Sequence, residues 1–317
     1  MKIEEVSERG NLVLEEVGKA IVGKEEVLKL ILTTILADGH VLLEDLPGLA
    51  KTLMAKSFAK ALGLDFRRVQ FTPDLLPSDI LGVSIFNQKT LEFEFRKGPV
   101  FTNILLADEV NRAPPKTQSA LLEAMQERQV TVEGKTYELQ RPFVVIATQN
   151  PIEQEGTYPL PEAQLDRFLV RLRVGYPRKD EEIEILRRRM ERKQEEVEIN
   201  TVLSPGEVVE MQRAVEEVYV SDAVLEYITD IVTATRNHKK EIEIGASPRG
   251  SLALLKLSRA KAALEGRDYV IPDDVKAVAV PALSHRLILK RELWYTNVSQ
   301  DAVMAKLLER VPVPKFE

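Results

Sequence analysis

The sequence contains no cysteine in its 317 residues. That absence removes disulfides, thiolate nucleophiles, iron–sulfur ligation and cysteine zinc sites together. Histidine is nearly as scarce: His40, His238 and His285 lie far apart and never at the i, i+4 spacing of a helical zinc site, so packing or surface roles are expected. No apolar run approaches the roughly 18 residues of a membrane-spanning helix. The opening Met1-Lys2-Ile3-Glu4-Glu5 is unlike a secretory leader, so no membrane insertion and a cytoplasmic location are expected. Positive charge is not in excess either. Lys and Arg number 44 against 50 Asp and Glu, a net −6 that does not favour a polyanion, and nucleic acid is not an expected partner.

What is present is 44% hydrophobic and 30% charged residues, the balance of a soluble globular protein. At about 150 residues per domain the length suggests two domains. From Glu4 to Ala37 apolar residues recur at three- and four-residue intervals, broken at Val22-Gly23, which predicts two helices joined by a turn. Short apolar runs follow at Val41 to Leu43, Phe66 to Val69, Ile104 to Ala107, Val144 to Thr148 and Phe168 to Val170, with helical patterns at Thr52 to Leu62 and Thr117 to Arg128. This alternation predicts a doubly wound α/β domain with a parallel sheet. Two inserts, Val83 to Phe95 and Val130 to Leu139, alternate apolar and polar about central turns and read as hairpins.

Beyond Tyr176-Pro177 the pattern is of helices only. Ser204-Pro205-Gly206-Glu207 carries a cap, a proline and a capping glutamate; Ser221-Asp222, Ser247-Pro248 and Pro272-Asp273-Asp274 resemble further starts, and Gly266 a stop. An α/β unit over residues 1–176 and a helical unit over 177–317 are expected. The mixed-charge run from Arg178 to Glu198 reads as a solvated helix face.

Glu44-Asp45-Leu46-Pro47-Gly48-Leu49-Ala50-Lys51-Thr52 follows a predicted strand and opens a predicted helix, the context of a phosphate loop. In such a loop, main-chain amides and the helix N-terminus face the β-phosphate, Lys51 neutralises phosphate oxygens and the Thr52 hydroxyl ligates magnesium. Asp45 and Ala50 stand where the two glycines of Gly-x-x-x-x-Gly-Lys-Ser/Thr belong, and a plain helix N-cap turn would use the same residues. Farther on, an apolar strand ends in Asp108-Glu109. Asp108 at that edge could hold magnesium and Glu109 could deprotonate an attacking water, or both could be surface acids. A third strand ends in Gln149-Asn150-Pro151, where Asn150 could position that water or favour the turn.

In order and spacing these elements resemble an AAA+ ATPase, and more closely the MoxR family. The residues that carry the resemblance are Val22-Gly23, Leu43 through Thr52, Leu105 through Ala113, Ala147-Thr148-Gln149-Asn150-Pro151, Glu153 through Gly156, Leu165-Asp166-Arg167-Phe168 and Ala246-Ser247-Pro248-Arg249. They span almost the whole chain, and the Asn-Arg-Ala-Pro and Thr-Gln-Asn-Pro blocks are the most specific. The resemblance implies an AAA+ P-loop parallel sheet flanked by helices, followed by an all-helical lid. By it, Pro47, Gly48, Leu49, Ala50, Lys51, Thr52 and Leu53 form the Walker A segment, and Val22 and Gly23 contact adenine. Asp108 and Glu109 are the Walker B pair, with Thr52 and Asp108 on magnesium. Asn150 is sensor 1, Arg167 the arginine finger, Arg249 sensor 2, and the hairpins are the helix-2 and pre-sensor-1 inserts.

It further implies ATP and Mg2+ as ligands, a homo-oligomer forming a hexameric ring, and protein clients such as von Willebrand factor A-domain proteins. Two other functions fit the residues less well: a nucleotide-gated scaffold with little turnover, against which the Asp108-Glu109 pair speaks, and a DNA-remodelling motor, supported by Arg96, Lys97 and Lys135 alone.

Overall fold

The computed structural model describes residues 1–151, 156–293 and 295–314. The chain opens with α1 (Ile3–Ala20) and α2 (Glu25–Leu36), joined at Val22-Gly23 as the periodicity implies. Next come β1 (Val41–Glu44), α3 (Lys51–Ala61), β2 (Phe66–Gln70) and α4 (Pro77–Leu81). The first hairpin is β3 (Gly82–Asn87) with β4 (Glu92–Lys97); then β5 (Ile104–Asp108) and α5 (Pro115–Glu127) precede the second, β6 (Gln129–Val132) with β7 (Lys135–Glu138). β8 (Val144–Gln149), α6 (Glu162–Leu165) and β9 (Val170–Leu172) complete the α/β part.

The sheet runs β2-β5-β8-β1-β9 and every pair in it is parallel. Helices cover both faces, so β1, β5 and β8 are buried on both and read as continuous apolar runs. Side chains alternate: Leu43, Leu106 and Ile146 join one cluster, Leu42, Leu105 and Val145 the other. The strand expected at Phe168 begins two residues later, at Val170. Phe168 is buried, but its amide donates to the Leu165 carbonyl (3.1 Å) in the turn closing α6; burial produced the apolar signal without strand pairing.

The second part holds α7 (Lys179–Arg192), α8 (Pro205–Glu216), α9 (Asp222–Asn237), β10 (Ile242–Ile244), α10 (Pro248–Leu264), α11 (Pro272–Leu283), β11 (Ile288–Leu289) and α12 (Gln300–Leu308). Ser204, Ser221 and Ser247 cap α8, α9 and α10, and Asp274 accepts from the Ile271 amide at the head of α11 (2.9 Å). This part is not purely helical: β10 and β11 pair antiparallel. Strands of three and two residues are too short to show the alternation by which a strand is read from sequence. Helices α1 and α2 pack on α8 and α10, while α1 also packs on α3, so one hydrophobic cluster runs from a sheet face into the helical part.

The charged run on α7 is solvated only in part. Glu181, at 7% exposure, faces the protein with Glu184 and Arg188, whereas Ile183, Leu186 and Met190 point outward, Met190 at 75%. Arg188 explains the inversion. It donates to Glu184 (2.9 Å) and to the Gly18 carbonyl (2.8 Å), one of the acceptors left open where α1 ends.

Candidate active site

Parallel strands bring their C-terminal ends to one edge, and there the expected residues meet. Glu44 lies level with Gln149, and Gln70 with Asp108. From Glu44 the loop turns through Gly48 (φ +84°), where no atom stands within 4 Å of the place a Cβ would take. It then passes through Ala50, which is also left-handed at φ +59°. The Ala50 methyl therefore does sit in a conformation that glycine would adopt more cheaply. Ala50 offers no side-chain cap to α3, so no side chain competes with a ligand for the amides of that first turn. Pro47 and Gly48 are exposed, Leu49 is buried beneath them, Leu53 is exposed, and Lys51 and Thr52 are half-buried at the mouth.

Lys51 donates from Nζ to the Asp45 carbonyl (2.8 Å). Burial lowers its pKa, opposed by the negative charges of Asp45, Asp108 and Glu109, so these acids and the ammonium share one site. The Asp45 carboxylate is itself partnered: one oxygen accepts from the amides of Val174 and Gly175. The repulsion between this acid and a bound anion is thereby reduced.

Thr148, 1% exposed on β8, organises the acidic strand end. Its hydroxyl donates to Asp108 Oδ1 (2.6 Å) and accepts from the Glu109 amide (2.8 Å). Arg68 on β2 takes the other Asp108 oxygen through Nη2 (2.6 Å) and Nε (3.1 Å). Glu109 is left-handed at φ +55°, and its Oε2 accepts from Gln70 Nε2 at 2.8 Å with Arg112 Nε at 3.1 Å. Asn150 follows β8, between the strands that deliver Asp108 and the loop. Sequence reasoning assigned no role to Arg68, Gln70, Arg112 or Thr148. Polar residues at the exit of β2 and β8 were the available signal, but only the strand order makes β2 the neighbour of β5.

Magnesium and ATP fit these donors. A hydroxyl at Thr52 and a carboxylate at Asp108 are hard oxygen ligands, and magnesium takes one or two from protein beside phosphate oxygens. Val22 and Gly23 lie in the turn between α1 and α2; Gly23 rests against Glu181, whose side chain would collide with any Cβ there.

Arg167 and Arg249 are elsewhere. Asp166-Arg167-Phe168 precedes β9, which puts it at the N-terminal edge of the sheet, a strand length or about 15 Å from the loop edge. Asp166 is held by Arg286 (2.7 Å), a side chain 4% exposed, and has Arg249 Nη1 at 3.6 Å. Arg167 takes part in no ion pair among the described residues, and its Nε is buried without a partner. Both arginines line one cleft with Gln126, Arg128 and Lys256. Of the family-like segment Glu153 through Gly156, residues Glu153, Gln154 and Glu155 lie outside the described residues.

A phosphate loop between strand and helix, acids on the adjoining strand ends and a helical second part define a P-loop ATPase with a lid. The chain matches the model of the ATPase family associated with various cellular activities (AAA) over residues 40–170 and that of the AAA lid domain over residues 233–307. It is 51% identical to the protein YeaC of Bacillus subtilis, over 95% of this chain and 93% of that protein. Chaperone MoxR1 of Mycobacterium tuberculosis is 45% identical over 95% of this chain and 81% of its own length. A crystal structure from Cytophaga hutchinsonii superposes with a TM-score of 0.90 at 44% identity, covering 98% of each chain. The chain belongs to the MoxR family of AAA+ ATPases. No helix among the described residues is long and apolar enough to cross a membrane.

Proposed function

We propose that the protein hydrolyses magnesium-bound ATP at sites shared between neighbouring copies in a ring, and that hydrolysis moves the lid to remodel protein clients. The observation that carries this reading is the separation of Arg167 and Arg249 from their own phosphate loop. Charges a strand length away cannot neutralise a γ-phosphate in the same protomer, but they can in the next one, where a finger arginine contributes 10³–10⁵ in rate, roughly 4–7 kcal/mol. The inverted face of α7 supports assembly, since Ile183, Leu186 and Met190 form an apolar stripe exposed at 41%, 60% and 75%.

In this mechanism the loop amides and Lys51 hold the phosphates, while Pro47 through Leu53 and Val22-Gly23 frame the nucleotide. Thr52 and Asp108 would hold the magnesium ion, which would supply positive charge to the phosphate oxygens. Glu109 takes the proton of the attacking water once Gln70 releases it, and Asn150 orients that water. Arg167 and Arg249 of the adjoining protomer stabilise the charge that develops on the transferred group.

The lid boundary is taken at Tyr176-Pro177. Client contact is assigned to the two hairpins: Phe93 is 67% exposed and packs edge to face on Phe86 (5.4 Å), and Phe95 stacks on Tyr137 of the second hairpin (4.2 Å), tying the two together. The chaperone designation of MoxR1 agrees with this role. Glu109→Gln tests the reading: it should keep ATP affinity while abolishing turnover, because the phosphate and metal ligands remain and the base is lost. Undiminished turnover would refute it.

A further inference from the structure

Asp45 occupies a place where phosphate loops usually carry glycine, and it is tied on three sides. Its amide donates to the Gln149 carbonyl on β8 (3.1 Å) and its carbonyl accepts from Lys51 Nζ (2.8 Å). A single carboxylate oxygen, Oδ2, accepts from both the Val174 amide and the Gly175 amide (2.8 Å). Val174 to Pro177 is the stretch by which the chain leaves β9 for α7. Val174 anchors its start, buried at 7% exposure, but the chain beyond is thinly held: Gly175 is left-handed at φ +69° with no atom within 4 Å of a Cβ position, and Tyr176 is 71% exposed. Lys24 alone among the described side chains grips Tyr176, at its carbonyl (3.0 Å). The preceding residue repeats the theme. Glu44 pairs with Arg171 (3.3 Å), and Arg171 reaches Asp301 (3.0 Å) and Gln300 (2.8 Å) on α12.

We infer that Asp45 is a positioning residue that couples the occupancy of the phosphate loop to the angle of the lid. The inference deepens the ATPase reading and rests on it. In the structure, Lys51 holds this residue by its carbonyl and the hinge amides hold it by its carboxylate. A triphosphate draws Lys51 away from the Asp45 carbonyl, the loop relaxes toward the ligand, and the carboxylate carries the two hinge amides with it. Glycine at this position would bind phosphate as well or better, having no acid near the anion, but it would leave the hinge unattached.

The experiment compares wild type with Asp45→Gly, Asp45→Ala and Asp45→Asn in the full chain. Nucleotide affinity, kcat and KM are measured, together with the distance between fluorophores on cysteines introduced at the exposed positions Lys60 in α3 and Glu226 in α9; the absence of native cysteine makes that labelling specific. Asp45→Gly should bind ATP within about threefold of wild type yet lose tenfold or more in kcat. Its label distance should not respond to a non-hydrolysable ATP analogue. Asp45→Asn keeps an oxygen able to accept from both amides and should restore kcat to within about threefold, with the distance response. Asp45→Ala serves in place of the glycine variant if that chain does not fold. Wild-type kcat and a full distance response in Asp45→Gly or Asp45→Ala would overturn the inference, as would Asp45→Asn as impaired as Asp45→Ala. If wild type itself shows no ATP turnover, the ATPase reading fails first and the coupling falls with it; active wild type with indifferent Asp45 variants removes the coupling alone.

Discussion

Gln70 donates to the same Glu109 oxygen that faces Arg112, at 2.8 Å and 3.1 Å respectively, so the base of the proposed reaction is held by a hydrogen bond and an ion pair. An oxygen committed to Gln70 must give up that hydrogen bond before it can take a proton from water. Gln70→Ala should therefore raise basal turnover, by about fivefold for a hydrogen bond of about 1 kcal/mol. A steady-state assay of the variant without clients checks this; unchanged or reduced kcat would mean that the Gln70 contact does not restrain Glu109.

Ala50 stands at φ +59° in the turn that opens α3. A left-handed alanine costs about 1–2 kcal/mol, partly offset by the greater freedom of glycine in the unfolded chain, so Ala50→Gly should stabilise the fold by about 0.5–1 kcal/mol. Denaturant unfolding without nucleotide gives the value. Destabilisation would show that the methyl packs in a way that outweighs its backbone strain.

His40 is fully enclosed, accepts at Nδ1 from the Val145 amide (2.9 Å) and lies with Nε2 against the Met125 carbonyl (3.1 Å), bonds that suit a neutral ring. Burial, aided by the charge of Arg128, pushes its pKa from 6.5 down to about 3. Because the unfolded ring takes up its proton first on acidification, this residue's contribution is fully present above pH 6.5 and is lost as the pH falls from there toward 3. The slope is about 1.4 kcal/mol per pH unit inside that window. His40→Gln should be less stable at pH 7.5 yet lose less between pH 6.5 and 5. Parallel curves for the two proteins would contradict the assignment. Glu207, held at about 2 by Arg9 and by its cap on Ser204, acts only at more acid pH.

The exposed stripe of α7 gives a test of assembly separate from catalysis. Leu186→Glu puts a charge on a face already in water, so it should alter protomer stability by no more than about 0.5 kcal/mol. It should lower turnover measured at dilute protein and shift the oligomer toward smaller species by sedimentation. An unaltered oligomer would place the neighbour's contact elsewhere.

The sheet, the two hairpins and the helix starts were legible because each has a local signature: doubly buried runs, period-two alternation, and serine or aspartate caps. The strand order was not, since Gln70 and Arg68 become neighbours of Asp108 and Glu109 only when β2 pairs with β5. Inversion of α7 escaped for a related reason. Its charges satisfy partners distant in sequence, such as the Gly18 carbonyl, and composition cannot distinguish those from charges facing water. Of the candidate site, Lys51, Thr52, Asp108, Glu109 and Asn150 converge on one edge as the motifs imply. Arg167 and Arg249 share the other edge, a relationship that follows from β9 running parallel to β1 and from the Asp166 contact to Arg249.

Mixing Arg167→Ala protein with Lys51→Ala protein bears on the shared site more directly than any other measurement. Each variant alone should be nearly inactive, one lacking the finger and the other the phosphate grip. Combined in equal amounts, random assembly leaves about a quarter of the interfaces with an intact loop facing an intact arginine, and turnover should recover to about that fraction of wild type. Full activity of Arg167→Ala alone, or no recovery in mixtures shown by co-purification to contain both chains, would contradict a site built from two protomers.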